Sequence, residues 1–197
     1  MSGIAHGWAG VLYAVMRWAQ STRSPLPNGI DGRLHELAAC AEETGRGIRW
    51  PRVLRQRLGD ETVDYVPSWC NGSAGLVHLW TLASSLQDEP RWLELAERVA
   101  WNAWEYSHGS GMFDLCCGAA GRAYALLTLH RHTGDATWLR RAESLADRAG
   151  HAADDDQGIA HALYKGSLGV AVLAAELDRP LDARMPLFEH EGWPARA

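Results

Sequence analysis

The sequence CCGAAGRAYALL (residues 116–127) joins two glycines, three positions apart, to a run of small and apolar residues. The same arrangement occurs in HGWAGVLYAVM (6–16), CNGSAGLVHLW (70–80) and YKGSLGVAVLAAEL (164–177). The first glycines of consecutive motifs lie 65, 46 and 48 positions apart. Self-similarity at such a spacing is typical of a repeat architecture in which one supersecondary unit recurs.

Each motif predicts the start of a buried helix, because small and aliphatic residues follow its glycines at helical spacing. Amphipathic stretches between the motifs predict half-exposed outer helices over 31–43, 90–106 and 136–149. No stretch predicts a strand, and residues 60–66 come nearest to one. The long first interval predicts a lid or rim excursion over 44–68, and residues 151–158 predict a solvated loop. The expected fold is all-α, with inner and outer helices alternating.

The composition argues against several classes of function. Of the 197 residues 47% are apolar, and the net charge is −5, so no basic field favours nucleic acid or an anionic membrane. Five arginines are expected to form a solvated face rather than a docking surface for an acidic peptide: Arg46, Arg49, Arg52, Arg55 and Arg57. Neither an apolar run of about 20 residues nor a signal peptide is visible. We therefore expect a cytoplasmic protein with reduced cysteines.

Three of the four cysteines lie one or two positions before the first glycine of two motifs: Cys70 in one, and Cys116 and Cys117 in the other. Thiols at loop-to-helix junctions are ligands for soft metals, and zinc is the first hypothesis. Taken singly, each cysteine is more typical of a small buried residue in a tight turn. Cys40 lies outside the motifs and is expected to be an ordinary core thiol. His6 opens a motif, so we expect it to face the same cavity, with a structural histidine as the alternative.

These motifs resemble those of the lanthionine synthetase cyclase family, the LanC-like proteins. The resemblance rests on His6-Gly7, Trp69 to Gly72, Cys116 to Gly118, Tyr164 to Gly166, and the terminal PLFEHEGW (186–193). It implies an α/α toroid of about seven inner and seven outer helices. Residues 1–197 would form the C-terminal part of such a cyclase domain, with the four motifs supplying four of its inner helices.

The resemblance also implies a zinc-dependent cyclase that adds peptide cysteine thiols to dehydroalanine or dehydrobutyrine. Cys70, Cys116 and Cys117 would be the metal ligands, with a thiolate where many members have a histidine as the last ligand. A substrate thiol at the fourth position would be held deprotonated by the metal. His6 would be the general acid, since the pKa of histidine lies near the working pH.

Two residues beside the first metal cysteine are substrate-binding candidates, Asn71 and Trp69. Tryptophans pack more often than they bind substrate, and Trp69 and Trp8 are the best candidates to line a cavity. The implied partners are a precursor peptide that carries cysteines and dehydrated serines or threonines, and an upstream kinase/lyase or dehydratase domain. No membrane span is expected.

Other features favour a different function. The family's catalytic aspartate comes from a segment upstream of the His6 motif, and Val66 stands where the family has an arginine. A partial ring is also expected to expose the apolar flanks of its end helices. The alternative is thus a non-catalytic, zinc-stabilised peptide-binding or scaffold fragment. A weaker one is a glycosidase or epimerase relative, which needs paired carboxylates, whereas Asp114 alone lies near a motif mouth.

Overall fold

A computed structural model describes residues 1–54, 63–106, 111–155 and 161–189. Within these ranges the helices are α1 Trp8–Thr22, α2 Ile30–Ala38, α3 Ser73–Leu86, α4 Pro90–Glu105, α5 Ala119–Thr133, α6 Ala136–Asp154 and α7 Ser167–Glu176. A short antiparallel hairpin, β1 Glu42–Thr44 and β2 Gly47–Arg49, lies between α2 and α3. Helices α1, α3, α5 and α7 are the inner layer, and α2, α4 and α6 alternate with them as the outer layer. The all-α prediction is confirmed.

The inner helices begin directly after the first glycine of each motif. Their N-caps are Gly7, Gly72, Gly118 and Gly166, all with extended backbone. None of the four receives a side-chain cap. The N–H groups of the first turn bond instead to the loop before it: Ala119 donates to the Met112 carbonyl (3.0 Å). The first helical turn and its preceding loop therefore form one unit.

The second glycine of each motif lets the helix pack directly on that loop. A Cβ atom at these glycines would overlap the carbonyl oxygen of the residue three positions before the first glycine. The four pairs are Gly10 with Ile4, Gly75 with Trp69, Gly121 with Leu115, and Gly169 with Leu163. The glycine spacing is thus a requirement of close backbone approach rather than of a left-handed conformation.

Burial separates the two layers as the patterns predict. On α3 and α5, residues 73–83 and 119–127 are buried on every side, whereas the outer α4 and α6 bury one stripe each. The end helix α1 has an uncovered apolar face, with Trp8, Val11 and Trp18 each more than half exposed. The expected exposure of apolar side chains on the first helix is thus observed, while the partial ring stays a prediction. Among the helices of the described ranges, none combines the length and the apolar character that a membrane span requires.

The rim segment after α2 differs from the prediction. Helix α2 ends at Ala38 rather than at residue 43, because the Trp50 indole N–H donates to the Leu37 carbonyl (2.7 Å) and the chain turns into the hairpin. The hairpin turn has Gly45 at φ 56°, and its Ile48 is buried. No strand forms over residues 63–66, while 60–62 lie outside the described residues. Helix α6 extends to Asp154, so the predicted 151–158 loop is helical through that residue, and 156–158 are not described.

Three of the five clustered arginines have partners: Arg46 joins the rim to α4, whereas Arg49 and Arg52 pair within the rim segment. Arg46 pairs with Glu105 of α4, and its guanidinium lies 3.7 Å from the centre of the Trp101 ring. Arg49 stacks on Tyr65 (3.6 Å). Arg52 pairs with Asp64 (3.2 Å), and both side chains are about half exposed. Arg55 and Arg57 lie outside the described residues. The cluster is thus partly paired and stacked rather than simply solvated.

The segment after α7 packs back between the inner helices. The ring of Phe188 stacks on Tyr13 of α1 (4.6 Å) and meets Trp69 edge-on (5.2 Å). The buried Glu189 carboxylate accepts hydrogen bonds from Arg131 (2.6 Å) and Thr128 (3.0 Å). This segment therefore covers the centre of the inner layer with an aromatic ring and a paired charge.

The glycine packing predicts that Gly121→Ala is strongly destabilising. The added methyl group would meet the Leu115 carbonyl and lie 3.2 Å from Trp69 Cβ, so backbone has to move. We expect the free energy of unfolding in urea to fall by about 2 kcal/mol or more. In the control Gly150→Ala, on α6, the new methyl group meets nothing within 4 Å. That variant should be unchanged or gain about 0.5–1 kcal/mol, and equal stabilities of the two variants would contradict this packing.

The buried His78 predicts a loss of stability in acid. Burial lowers the pKa of His78 to about 4 from its ordinary 6.5. The unfolded chain thus binds a proton that the folded chain excludes, so stability falls as the pH decreases from about 6.5 to about 4. Burial raises the pKa of Glu189, but its pairing with Arg131 and its hydrogen bonds from Thr128 and the Met185 N–H lower it overall, so protonation of this carboxylate in acid also reduces stability.

Urea unfolding of His78→Gln at several pH values tests this expectation. The loss between pH 6.5 and pH 4 should be smaller than in the wild type by up to about 3 kcal/mol. His151→Gln, which changes an exposed histidine near the end of α6, should keep the wild-type pH dependence. Parallel curves for His78→Gln and the wild type would show that His78 does not carry the effect.

Candidate metal centre

Backbone hydrogen bonds connect the four motif loops in sequence order. The Ala5 N–H donates to the Cys70 carbonyl (2.9 Å), and the Cys70 N–H donates to the Cys116 carbonyl (3.2 Å). The Cys116 N–H then donates to the Tyr164 carbonyl (3.0 Å). In each motif the linking residue stands two positions before the first glycine. The loops at the N-terminal ends of α1, α3, α5 and α7 are therefore held side by side.

This arrangement brings three of the four thiols together. The Sγ atoms of Cys70 and Cys117 lie 3.8 Å apart, and those of Cys116 and Cys117 lie 3.6 Å apart. All three Sγ atoms lie within 4.8 Å of one another. Two thiolates about 2.3 Å from one tetrahedral zinc ion would be about 3.8 Å apart. The donor set and its spacing thus fit a metal ion, whereas Cys40 lies on the rim and donates to the Glu36 carbonyl.

Polar groups surround the sulfur atoms on several sides. The Ser68 hydroxyl and the Asn71 amide nitrogen each lie 3.5 Å from Cys70 Sγ. The Cys117 N–H donates to Asp114 Oδ1 (2.6 Å), which orients the third cysteine. The ammonium of Lys165 donates to Cys117 Sγ (2.8 Å). The cluster therefore has hydrogen-bond donors that stabilise thiolate, as metal-binding cysteines need.

Hydrogen bonding within the cluster favours the thiolate form of Cys70 over that of Cys116. Hydrogen bonding from the Cys116 thiol lowers the pKa of Cys70, with Ser68 acting in the same direction and burial opposing it. The same contact raises the pKa of Cys116. The hydrogen bond to Cys117 also raises the pKa of Lys165, which keeps this lysine charged. Of these two thiols, Cys70 therefore holds the thiolate more readily than Cys116.

A cleft of about 260 Å³ opens at the cluster. Cys70, Asn71 and Cys117 line one part of it, and Arg52 and Met112 line another. The Asn71 Oδ1 atom is buried and has no hydrogen-bond partner among the described residues. A buried amide oxygen without a partner is costly, so a ligand N–H group in this cleft would find an acceptor there. This placement is consistent with the predicted substrate-binding role of Asn71.

His6 lies in a different place from the cleft. It is exposed and lines a wider, more open cavity of about 680 Å³ together with Met1, Ile4 and Trp8. Its neighbour Ala5 is hydrogen-bonded to the Cys70 carbonyl, so the His6 loop adjoins the cluster through the backbone. The structure does not put His6 among the residues that line the cysteine cleft. Its role as an acid stays a prediction.

The two tryptophans singled out from the sequence have opposite environments. Trp69 is buried, and its ring packs against Tyr164 and Phe188, each at 5.2 Å. Trp8 is 51% exposed and lines the wider cavity. Substrate binding by Trp69 stays a prediction. The structure shows Trp69 as a packed residue beside the loop that carries Cys70.

Lys165 and Ser68 belong to the site but were not predicted from the motifs. Lys165 stands directly before the first glycine of the fourth motif, the position that Cys117 occupies in the third. Position within the repeat was therefore a signal that could have identified it. Ser68 lies outside the repeated letters, and only the folded loop brings its hydroxyl to Cys70.

Comparison with known proteins agrees with this geometry. The sequence model of a family described as lanthionine synthetase C-like protein matches residues 1–156. Glutathione S-transferase LANCL1 of Danio rerio is 28% identical over 193 residues, which cover 95% of this chain and 45% of that protein. LanC-like protein GCL1 of Arabidopsis thaliana is 28% identical over 198 residues, covering 95% and 43%. The chain thus spans less than half the length of these relatives.

A solved structure shows the same fold. Nisin cyclase superposes with a TM-score of 0.74 at 15% identity, over 90% of this chain and 46% of that one. At this identity the likeness concerns the fold alone, an α/α toroid of inner and outer helices.

Oxidation of the metal-free protein tests the proximity of the thiols. Mild treatment with diamide should link Cys70 to Cys117, whose sulfur atoms lie 3.8 Å apart. A bridge between the adjacent Cys116 and Cys117 is less favourable, since neighbouring Cα atoms are closer than a relaxed disulfide allows. Peptide mapping should find Cys40 still free. A bridge to Cys40, or four remaining thiols, would contradict the arrangement.

Proposed function

Because this chain belongs to the lanthionine synthetase C-like family, we propose that it is a zinc-dependent cyclase that adds peptide cysteine thiols to dehydroalanine or dehydrobutyrine. The observation that carries the proposal is the cluster of three thiols, all within 4.8 Å, at the mouth of the inner helices. The cyclase-like fold supports it. The peptide substrate, a partner kinase/lyase or dehydratase domain, and a cytoplasmic location are parts of the proposal that follow from the resemblance.

Cys70, Cys116 and Cys117 are the residues that would hold zinc. Their sulfur spacing fits a tetrahedral ion with three protein ligands, the number typical of a catalytic zinc. When bound, zinc supplies a position at which a substrate thiol is kept as the nucleophilic thiolate.

The remaining chemistry falls to residues of the chain. In the addition, the substrate sulfur bonds to the β-carbon of the dehydro residue, the carbon–carbon double bond becomes single, and a proton reaches the α-carbon. No oxidant or reductant is consumed. His6 is the proposed proton donor, since histidine exchanges protons near neutral pH. The unpartnered Asn71 Oδ1 would accept a peptide N–H group and position the substrate in the cleft.

A related activity is favoured by one comparison. The Danio rerio relative is named a glutathione S-transferase, and glutathione conjugation likewise joins a thiol to an electrophilic carbon. The same cluster would bind the thiol of glutathione in place of the thiol of a peptide cysteine. The other alternative, a peptide-binding or scaffold fragment without catalysis, needs the metal for structure alone.

Metal analysis tests the ligand set. The purified wild-type chain should contain one zinc ion, and Cys116→Ala should contain a small fraction of that amount, because a ligand is lost. Cys40→Ala removes a thiol outside the cluster and should keep full zinc. Elemental analysis after dialysis measures all three. A wild type without zinc, or Cys116→Ala with full zinc, would refute the assignment.

Incubation with a dehydrated, cysteine-containing peptide tests the activity. Cyclisation leaves the peptide mass unchanged, so the fraction cyclised is measured as loss of thiols that react with N-ethylmaleimide. We expect loss above the uncatalysed rate, with His6→Asn slower by about 10²-fold or more and Cys40→Ala unchanged. Added glutathione distinguishes the two thiol donors, since conjugation would give a peptide one glutathione heavier. Peptide binding without either product would support the scaffold alternative.

A further inference from the structure

Lys165 is the only lysine among the 19 lysine and arginine residues of the sequence. Its ammonium lies 2.8 Å from Cys117 Sγ, and its side chain is 53% exposed. Asp114 Oδ2 lies 4.0 Å from the same ammonium. The single lysine of the chain is therefore in direct contact with the third thiol of the cluster.

The fold places Lys165 there through the repeat. The Cys116 N–H donates to the Tyr164 carbonyl (3.0 Å), so the residues that follow these two, Cys117 and Lys165, come next to each other. Asp114 accepts from the Cys117 N–H (2.6 Å) and completes the group. The contact thus follows from aligned motif positions on neighbouring loops rather than from a chance approach of a long side chain.

Charge explains why a cation belongs at this position. Three thiolates around a divalent ion carry a net charge of about −1, and binding of a substrate thiolate would add another negative charge. A neutral histidine as third ligand would not create this excess, but Cys117 does. An ammonium in contact with Cys117 offsets it, and charge-assisted hydrogen bonds are the stronger kind.

Lysine is better suited than arginine to offset charge at a sulfur atom. Ammonium is a compact point charge with three donors, whereas guanidinium is a planar fork suited to carboxylates. Every other side chain with a permanent positive charge that the structure describes is an arginine, and several of these pair with carboxylates or stack on rings. A sulfur atom offers a single acceptor centre, so a compact ammonium suits it better than a planar guanidinium fork does.

We propose that Lys165 is a positioning residue, which orients the Cys117 thiolate and offsets the excess negative charge of an all-cysteine metal site; this inference rests on the proposed function. Groups beside metal ligands commonly change metal affinity by 10- to 100-fold. Lys165 should therefore strengthen metal binding without being a ligand.

Zinc affinity of the full chain, measured by competition with a chelator, tests the inference. Lys165→Met should bind zinc about 10- to 100-fold more weakly than the wild type. Lys165→Arg keeps the charge and should recover part of the loss. Arg91→Met removes one positive charge from an exposed position at the start of α4 and is the matched control. It should bind zinc as the wild type does.

Two further readouts separate a charge effect from damage to the site. The Lys165 ammonium touches Cys117 Sγ at 2.8 Å, so salt should reduce the deficit of Lys165→Met only in part. Cobalt-substituted Lys165→Met should keep the sulfur-to-metal absorption of three thiolates, since all ligands remain.

The outcomes distinguish this inference from the proposed function. If the wild type binds zinc and Lys165→Met matches Arg91→Met, the role of Lys165 is refuted while the metal site stands. If Lys165→Arg binds zinc as weakly as Lys165→Met does, or if the thiolate absorption is lost, the charge role is also overturned. If the wild type binds no zinc, the proposed metal site fails, and the inference fails with it.

Discussion

Close contact between each inner helix and the loop before it is the constraint on which the rest of the structure depends. The second glycine of a motif presses against a carbonyl of its own loop, as Gly121 does against Leu115. Each loop is thereby fixed in shape, and its backbone is free to bond to the next loop, as Cys70 bonds to Cys116. Four loops held in this way form one surface at the end of the inner layer, and the three clustered thiols lie on it.

The chemistry of that surface is set by which residue stands before the first glycine. The four motifs carry His6, Asn71, Cys117 and Lys165 at this position. The Cys117 thiol and the Lys165 ammonium consequently meet on adjacent loops, whereas His6 lies beside a wider cavity. One position of the repeat thus supplies an imidazole, an amide, a thiol and a cation, so a repeat fold can vary the chemistry of its surface without changing its core.

Much of the fold was predictable from the sequence. The four glycine motifs predicted the starts of α1, α3, α5 and α7, and the amphipathic stretches predicted the outer helices. The hairpin after α2 was not predictable, because it depends on the Trp50 indole bonding to Leu37 and on contacts with α4. Helix α6 also continued past its expected end. These differences arise where tertiary contacts outweigh local preference.

For the site, the sequence by itself determined the residue types and their places in the repeat, and these sufficed to single out Cys70, Cys116 and Cys117. Only the tertiary structure decided which side chains share a cleft. It brought Lys165 and Ser68 to the sulfur atoms, buried Trp69 between aromatic rings, and put His6 beside another cavity. The physical reason is that periodicity fixes the spacing of residues along the chain, whereas the direction of each side chain depends on packing between loops that are far apart in sequence.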